Sequence, residues 1–214
     1  LNIKKNIIKN IINDNTFYIN TDPYYDKNNN IIYFLSDKNN LNFLYYVDKN
    51  LNIIPLFEFL NVIKYYVSNS GENVILKIIK DKRDTLYILN YASQILNPIN
   101  FNFEYEDILD VKFSYDDNYD KKIVVLIKEK NKEDYKYKNK LILYDLNTYE
   151  GKSIIEGEIV SFEIDYITLD IYIINKKKNI YYVEKIDLNN KIETILKLPS
   201  YIKEIDIKKV SYEK

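Results

Sequence analysis

With 214 residues, 46% of them hydrophobic, the chain can bury a sizeable core, and one all-β domain of this length is ordinary. Its 31 basic and 32 acidic residues cancel to a net charge of −1, and Arg83 is the single arginine, a balance that disfavours nucleic-acid binding. Cys and His are both absent, so disulfides, thiolate metal sites and Ser-His-Asp or Cys-His catalysis within this chain are excluded.

Residues 1–14 read as an N-terminal helix or a closing strand. Ile3, Ile7, Ile8, Ile11 and Ile12 fit a helical stripe, and a strand suits the Ile-rich composition equally. The remainder, 15–214, reads as one repeated all-β domain. Phe17–Ile19 is expected as a short strand, followed by a loop over 21–30. Ile31–Leu35, Leu41–Val47 and Ile53–Phe57 complete a first set.

The second set is the most regular. Ile63–Val67, Val74–Ile79, Leu86–Leu89 and Ile95–Ile99 are apolar runs. The turn Ser68-Asn69-Ser70-Gly71-Glu72-Asn73 separates the first two, with Gly71 supplying a positive φ. Lys80–Asp84 is a charged loop. The third set takes Ile108–Ser114, Ile123–Lys128, Leu141–Leu146 and Lys152–Ile155, with a long charged loop over 129–139. The fourth takes Ile159–Ile164, Ile171–Ile174, Ile180–Ile186 and Glu193–Leu198, with a lysine-rich turn over 175–179. Ile202–Val210 reads as the first strand of a further set.

Third strands align with Leu44, Leu86, Ile142 and Ile180 in register, and the longest interval is the one that contains the charged loop 129–139. A period of about 40 with four short strands per repeat predicts propeller-like, four-stranded antiparallel blades, about four of them complete. A β-sandwich of the same meanders is the competing architecture.

Ser68-Asn69-Ser70-Gly71-Glu72-Asn73-Val74-Ile75-Leu76 resembles the Ser-Pro-Asp-Gly-Lys turn of TolB-like, WD-repeat-like β-propellers, and Ser114-Tyr115-Asp116-Asp117 is a looser copy. Leu86-Tyr87-Ile88-Leu89-Asn90 and Leu143-Tyr144-Asp145-Leu146 are similar to the Leu-Tyr-x-x-Asp-Leu third strand of that family. The resemblance spans residues 15–200 and implies a binding platform, with periplasmic relatives.

For chemistry the sequence offers little. The three glycines, at 71, 151 and 157, cannot build a phosphate loop, and no cofactor or metal motif is present. Lys176-Lys177-Lys178 reads as a solvated turn that guards a sheet edge. Asp145 and Glu184 occupy aligned third strands and read as turn or ladder partners. The candidate interaction surface consists of Asp22, Tyr24 and Tyr25 in the first inter-strand turn and Asp116, Asp117 and Tyr119 in its counterpart two repeats later.

A non-catalytic binding or scaffold module for a protein partner is therefore expected. A carbohydrate-binding or carbohydrate-active module using Asp, Glu and Tyr is the alternative. No apolar run approaches the roughly 20 residues that span a bilayer as a helix. A chain that begins at Leu1 and lacks Met fits a processed product, such as one freed of a signal or lipoprotein leader, and so an exported setting. The Asn, Ile, Lys and Tyr excess matches AT-rich codons.

Overall fold

A computed structural model describes residues 19–38, 41–57, 60–101, 104–114, 121–129 and 138–198. The expectations for 1–14 and for Ile202–Val210 fall outside these residues. The chain divides into two compact units, Leu1–Pro98 and Ile99–Lys214. Among the described residues no helix is long and apolar enough to cross a membrane.

Unit 1 holds two four-stranded antiparallel meanders. The first is β1 (Ile19–Asp26), β2 (Ile31–Lys38), β3 (Leu41–Val47) and β4 (Ile53–Phe57). The second is β5 (Val62–Val67), β6 (Asn73–Lys80), β7 (Arg83–Asn90) and β8 (Ile95–Ile99). One core joins them: Tyr33, Leu35 and Leu44 of the first sheet share a cluster with Val62, Val74, Leu76 and Leu89 of the second. Phe34, Phe43, Tyr45 and Val47 form a separate cluster, with Phe34 and Tyr45 stacked.

Unit 2 holds β9 (Tyr105–Ser114), β10 (Lys122–Glu129), β11 (Asn139–Asp145), β12 (Glu150–Ile164), β13 (Ile171–Lys177), β14 (Ile180–Ile186) and β15 (Ile192–Leu198) in one seven-stranded order. The strand β12 belongs to two meanders. Residues up to Gly157 pair with β11, and residues from Glu158 pair with β13. Lys112, Val124, Leu143 and Lys152 lie in one row of the third meander. The Lys112 ammonium also meets Glu163 at 3.0 Å. Lys152 and Glu163 are thus brought to one level, which requires β12 to fold back about midway between them, at Gly157. The expected separate strands 152–155 and 159–164 are the two arms of this corner. Val124, Leu126 and Leu141 then pack on Ile159, Phe162, Ile173 and Ile186 across the fold.

Second strands read as near-continuous apolar runs because they are covered on both faces. Ile123 to Ile127 of β10 are all fully buried. Each such side chain contributes about 1.5–3 kcal/mol on burial. Fourth strands carry bulges instead. The registers skip Leu56 in β4, Ile154 in β12 and Ile195 in β15. A bulge twists an exposed edge and blunts unwanted pairing.

Three expectations are corrected. Residues 21–26 are strand, not loop: Asp22, at φ 51°, and Pro23 form a bulge opposite Phe34, and pairing resumes with Tyr24 opposite Tyr33. Pro23 fits there because the bulge leaves its missing N–H outside the ladder. The loops at 80–84 and 175–179 tighten to two-residue turns, Asp81-Lys82 and Lys178-Asn179, all four residues at positive φ. That is the type I′ geometry that matches strand twist. Lys176 and Lys177 are accordingly ladder residues of β13.

Candidate functional site

Apart from the Asp22 bulge and the two type I′ turns, every described non-glycine at positive φ sits in one kind of turn. A strand ends in Asp or Asn, whose side-chain oxygen accepts backbone N–H bonds from residues further on. A residue three or four places along then turns through the left-handed region. Asp26 accepts from the N–H groups of Asn28 and Asn29, with Asn30 at φ 55°. Asp48 accepts from Asn50 and Asn52, Asp145 from Asn147 and Thr148, Asp165 from Ile167 and Thr168, and Asp187 from Asn189 and Lys191. Asn90 does the same for Ser93. Asn and Asp suit this role because the short side chain mimics a backbone turn. A chain with three glycines uses them where others use glycine.

These stapled turns join first to second strands or third to fourth strands, so they gather at one end of each meander. Those after the third strands start at Asp48, Asn90, Asp145 and Asp187. The interval from Asp48 to Asn90 equals that from Asp145 to Asp187, and the middle interval is longer, most of the excess falling between Glu129 and Asn139. That spacing corrects the alignment of the third strands. Leu44, Leu86, Leu141 and Val183 are equivalent, and Asp145 matches Asp187, not Glu184.

In unit 1 the turns of both sheets touch. Asn28 Nδ2 donates to the Asn69 carbonyl, and Ser68 Oγ accepts the Asn73 N–H at 3.1 Å. Asp26 is buried and also accepts from Asn29 Nδ2 at 2.7 Å. Gly71, at φ 75°, lies so close that an added Cβ would sit 2.1 Å from the Asp26 carboxylate. Beneath the turns, Tyr33, Tyr46, Tyr65 and Tyr91 pack ring against ring, with Tyr46 and Tyr91 edge to face at 5.6 Å. The Tyr65 hydroxyl reaches the carbonyls of Asp22 and of Tyr33, the latter at 3.0 Å. The Tyr33 hydroxyl is buried and has no hydrogen-bond partner among the described residues. Burial, then the nearby Asp26 carboxylate, raises Tyr33 above the usual phenol range. Burial likewise raises Tyr65, with Asp22 adding to it. Tyr91 is pushed up to about 12 by burial, the adjoining Tyr46 hydroxyl and the charges of Asp48 and Asp26.

In unit 2 the corresponding turns display apolar tips. Tyr149 is 53% exposed, Tyr166 48%, Ile167 68% and Leu188 69%. Below them Asp170 pairs with Lys185 at 2.7 Å. Burial works against the Asp170 charge, but the Lys185 and Thr168 side chains outweigh it and hold the carboxyl below its usual range. Nearer the corner, buried Glu184 accepts from Asn175 Nδ2 at 2.9 Å and from the Lys177 ammonium. A Cβ at Gly157 would meet Asn175 Oδ1 at 3.1 Å.

Of the candidate surface residues, Asp22 and Tyr24 are exposed on β1, and Tyr25 is half-buried, its hydroxyl donating to Asn30 Oδ1 at 2.7 Å. Asp116, Asp117 and Tyr119 lie outside the described residues. The strands flanking them end at Ser114 and start at Lys122, in one row with Asp145. Sequence reasoning placed Asp26 in the acidic loop over 21–30 but not its burial against the Gly71 turn, and it missed the Tyr33–Tyr91 cluster and the apolar tips of unit 2. The available signal was the Asp or Asn that recurs at one fixed interval before and after the insertion. Among the described residues no three Asp or Glu side chains converge as a metal site would need.

No protein-family model matches the chain, and no curated protein matches it. Solved structures do. TolB from Acinetobacter baumannii superposes with a TM-score of 0.63 at 12% identity, over 83% of this chain and 43% of that one. Pyrococcus horikoshii acylaminoacyl peptidase gives 0.64 at 11%, over 89% of this chain and 34% of that one. The β-propeller domain of the Trilobed protease from Pyrococcus furiosus gives 0.62 at 14%, over 84% and 57%. The chain thus has a TolB-like β-propeller fold, with open sheets, and spans about two-fifths of the TolB chain it matches. The same fold occurs in TolB and in peptidases, so it does not by itself assign or exclude catalysis.

Proposed function

We propose that this chain is a non-catalytic binding module that engages a protein partner through the stapled-turn end of its blades. The observation that carries the reading is the set of apolar tips, Tyr149, Tyr166, Ile167 and Leu188, held on turns whose backbones are fixed by Asp side chains. Pre-fixed loops lose little entropy on docking, and aromatic and aliphatic anchors supply the contact area. Within unit 1 taken by itself, Tyr25 donates to Asn30 of the stapled turn after β1, Tyr24 is exposed just before that turn, and Asp22 lies further back at the bulge; within unit 2, the connection holding Asp116, Asp117 and Tyr119 joins strands that end in the Asp145 row. The Asp side chains at these turns serve as acceptors for backbone N–H groups, a structural use that supports a non-catalytic role.

The test is affinity capture on the whole chain beside two variants. One carries Tyr149→Ser, Tyr166→Ser, Ile167→Ser and Leu188→Ser. The other carries Lys82→Ser and Lys178→Ser at the opposite ends of two sheets. A protein retained by the parent and the second variant but lost by the first is the expected result. Saturable glycan binding by the parent, with no protein retained, would replace this reading with the carbohydrate one.

A further inference from the structure

Glu184 of β14 is buried and serves no stapled turn. In the alignment of third strands it stands where the other meanders carry Tyr45, Tyr87 and Ile142. Asn175 of β13, also buried, stands where β2, β6 and β10 carry Ser36, Ile78 and Ile127. The repeat therefore does not require this polar pair. The Glu184 carboxylate is shared between two nitrogens. Its Oε2 accepts from Asn175 Nδ2 at 2.9 Å, and its Oε1 accepts from the Lys177 ammonium. An ionised carboxylate only accepts, so the amide turns Nδ2 towards it. Asn175 Oδ1 then has no hydrogen-bond partner among the described residues and lies beside Gly157, where no side chain crowds it. Asn175 and Lys177 share one face of β13. Glu184 lies in the row of Ile173, about 13 Å along the strand from Lys177. Lys177 therefore meets Glu184 by extending back over Asn175, which lies between them. Amine, amide and carboxylate are held together, with one carboxylate oxygen on the amine and the other on the amide nitrogen.

We propose that Lys177 and Asn175 join through a side-chain isopeptide bond, with Glu184 as the catalytic residue. Glu184 takes a proton from the Lys177 ammonium on Oε1. The freed amine attacks Asn175 Cγ, and the Nζ–Cγ bond forms. The Cγ–Nδ2 bond breaks as Glu184 passes the proton to Nδ2. Of the three Nζ protons, one stays on the new amide and two leave with Nδ2 as ammonium. No oxidant or cofactor enters the balance. The reaction runs once per chain and leaves a covalent bridge along β13, independent of the binding role.

Peptide mapping of the whole chain, fresh and after storage at about pH 7 and about pH 9, reads the proposal. A lysine-specific protease cuts after Lys152 and Lys176 but not after an acylated Lys177. The expected product is residues 153–176 carrying Lys177-Lys178 through the Asn175 side chain, lighter by one ammonia than the two peptides together. Joining is more extensive at the higher pH, where more of the amine is neutral. Lys177→Arg abolishes it, and Glu184→Gln slows it by about a hundredfold. Circular dichroism checks that each variant keeps the β fold. Where Glu184→Gln unfolds the chain, Glu184→Asp, which draws the carboxylate back by one methylene, carries the same comparison. A succinimide at Asn175 loses the same mass but leaves residues 177 and 178 unattached, and that result overturns the proposal. Unjoined peptides at both pH values, or joining at the parent's rate in a folded Glu184 variant, overturn it as well.

Discussion

Replacing Gly71 by alanine would drive a methyl group onto the Asp26 carboxylate and hold a Cβ at φ 75°. Neither Asp26 nor the turn can yield easily, because Asp26 is buried and already bonded to Asn28 and Asn29. The substitution is expected to destabilise unit 1 by about 1–3 kcal/mol. Urea unfolding followed by tyrosine fluorescence measures it. The positive φ of Gly71 was legible in the sequence, since a Ser-Asn-Ser-Gly turn asks for it. Its partner Asp26 was not, because the contact joins turns of two different repeats, far apart along the chain, and no local pattern encodes it. Asp22 to Tyr25 misled for another reason. A polar run with a proline reads as loop, whereas a bulge lets the ladder absorb both Asp22 and Pro23.

The stapled turn is the unit that repeats most faithfully, more so than the apolar strands. Strand residues exchange freely among Ile, Leu, Val and Tyr, so alignment on them slipped by one residue at β11 and by three at β14. The Asp or Asn of the turn has no equally good substitute, and the same interval between successive copies recurs on both sides of the insertion in the third set. Asp165→Ala removes the acceptor for Ile167 and Thr168 and leaves Leu169 at φ 61° without that support. The expected cost is about 1 kcal/mol, with Asp165→Asn nearly neutral because its amide oxygen still accepts. Faster amide hydrogen exchange confined to 165–170 in the alanine variant would check this. The corner in β12 was half legible. Two separate strands were expected there, and the chain instead runs both without a loop, Gly157 leaving room for Asn175.

For the molecule as a whole, the charge pattern predicts a stability plateau bounded by two different chemistries. On the acid side Asp170 has a folded pKa below its unfolded value of about 4. Its contribution is complete above that value and is lost as pH falls through the folded one. On the alkaline side Tyr33, Tyr65 and Tyr91 stay protonated in the folded chain after the unfolded chain begins to ionise near about 10. Their contribution is complete below that pH and declines as pH rises towards about 12, the value for Tyr91. Unfolding free energies measured from pH 3 to pH 11 should therefore fall at both ends, over windows set by these shifts. Asp170→Asn makes the acid limb shallower and leaves the alkaline limb unchanged, the lowered Asp48 carboxyl still contributing on the acid side. Tyr33→Phe makes the alkaline limb shallower, with Tyr65 and Tyr91 still contributing, and is neutral or mildly stabilising near pH 7, because it removes a buried hydroxyl with no hydrogen-bond partner among the described residues.

The tight hairpin at Asp81-Lys82 holds the sole arginine of the sequence one step beyond its tip. Arg83 is exposed yet locked in the β6–β7 ladder opposite Lys80. An arginine-specific protease needs an extended, detached segment, so the scissile bond is masked until that ladder opens. A single clip, yielding fragments 1–83 and 84–214, would then act as a native timer for opening of the second sheet, with no label or engineered site required.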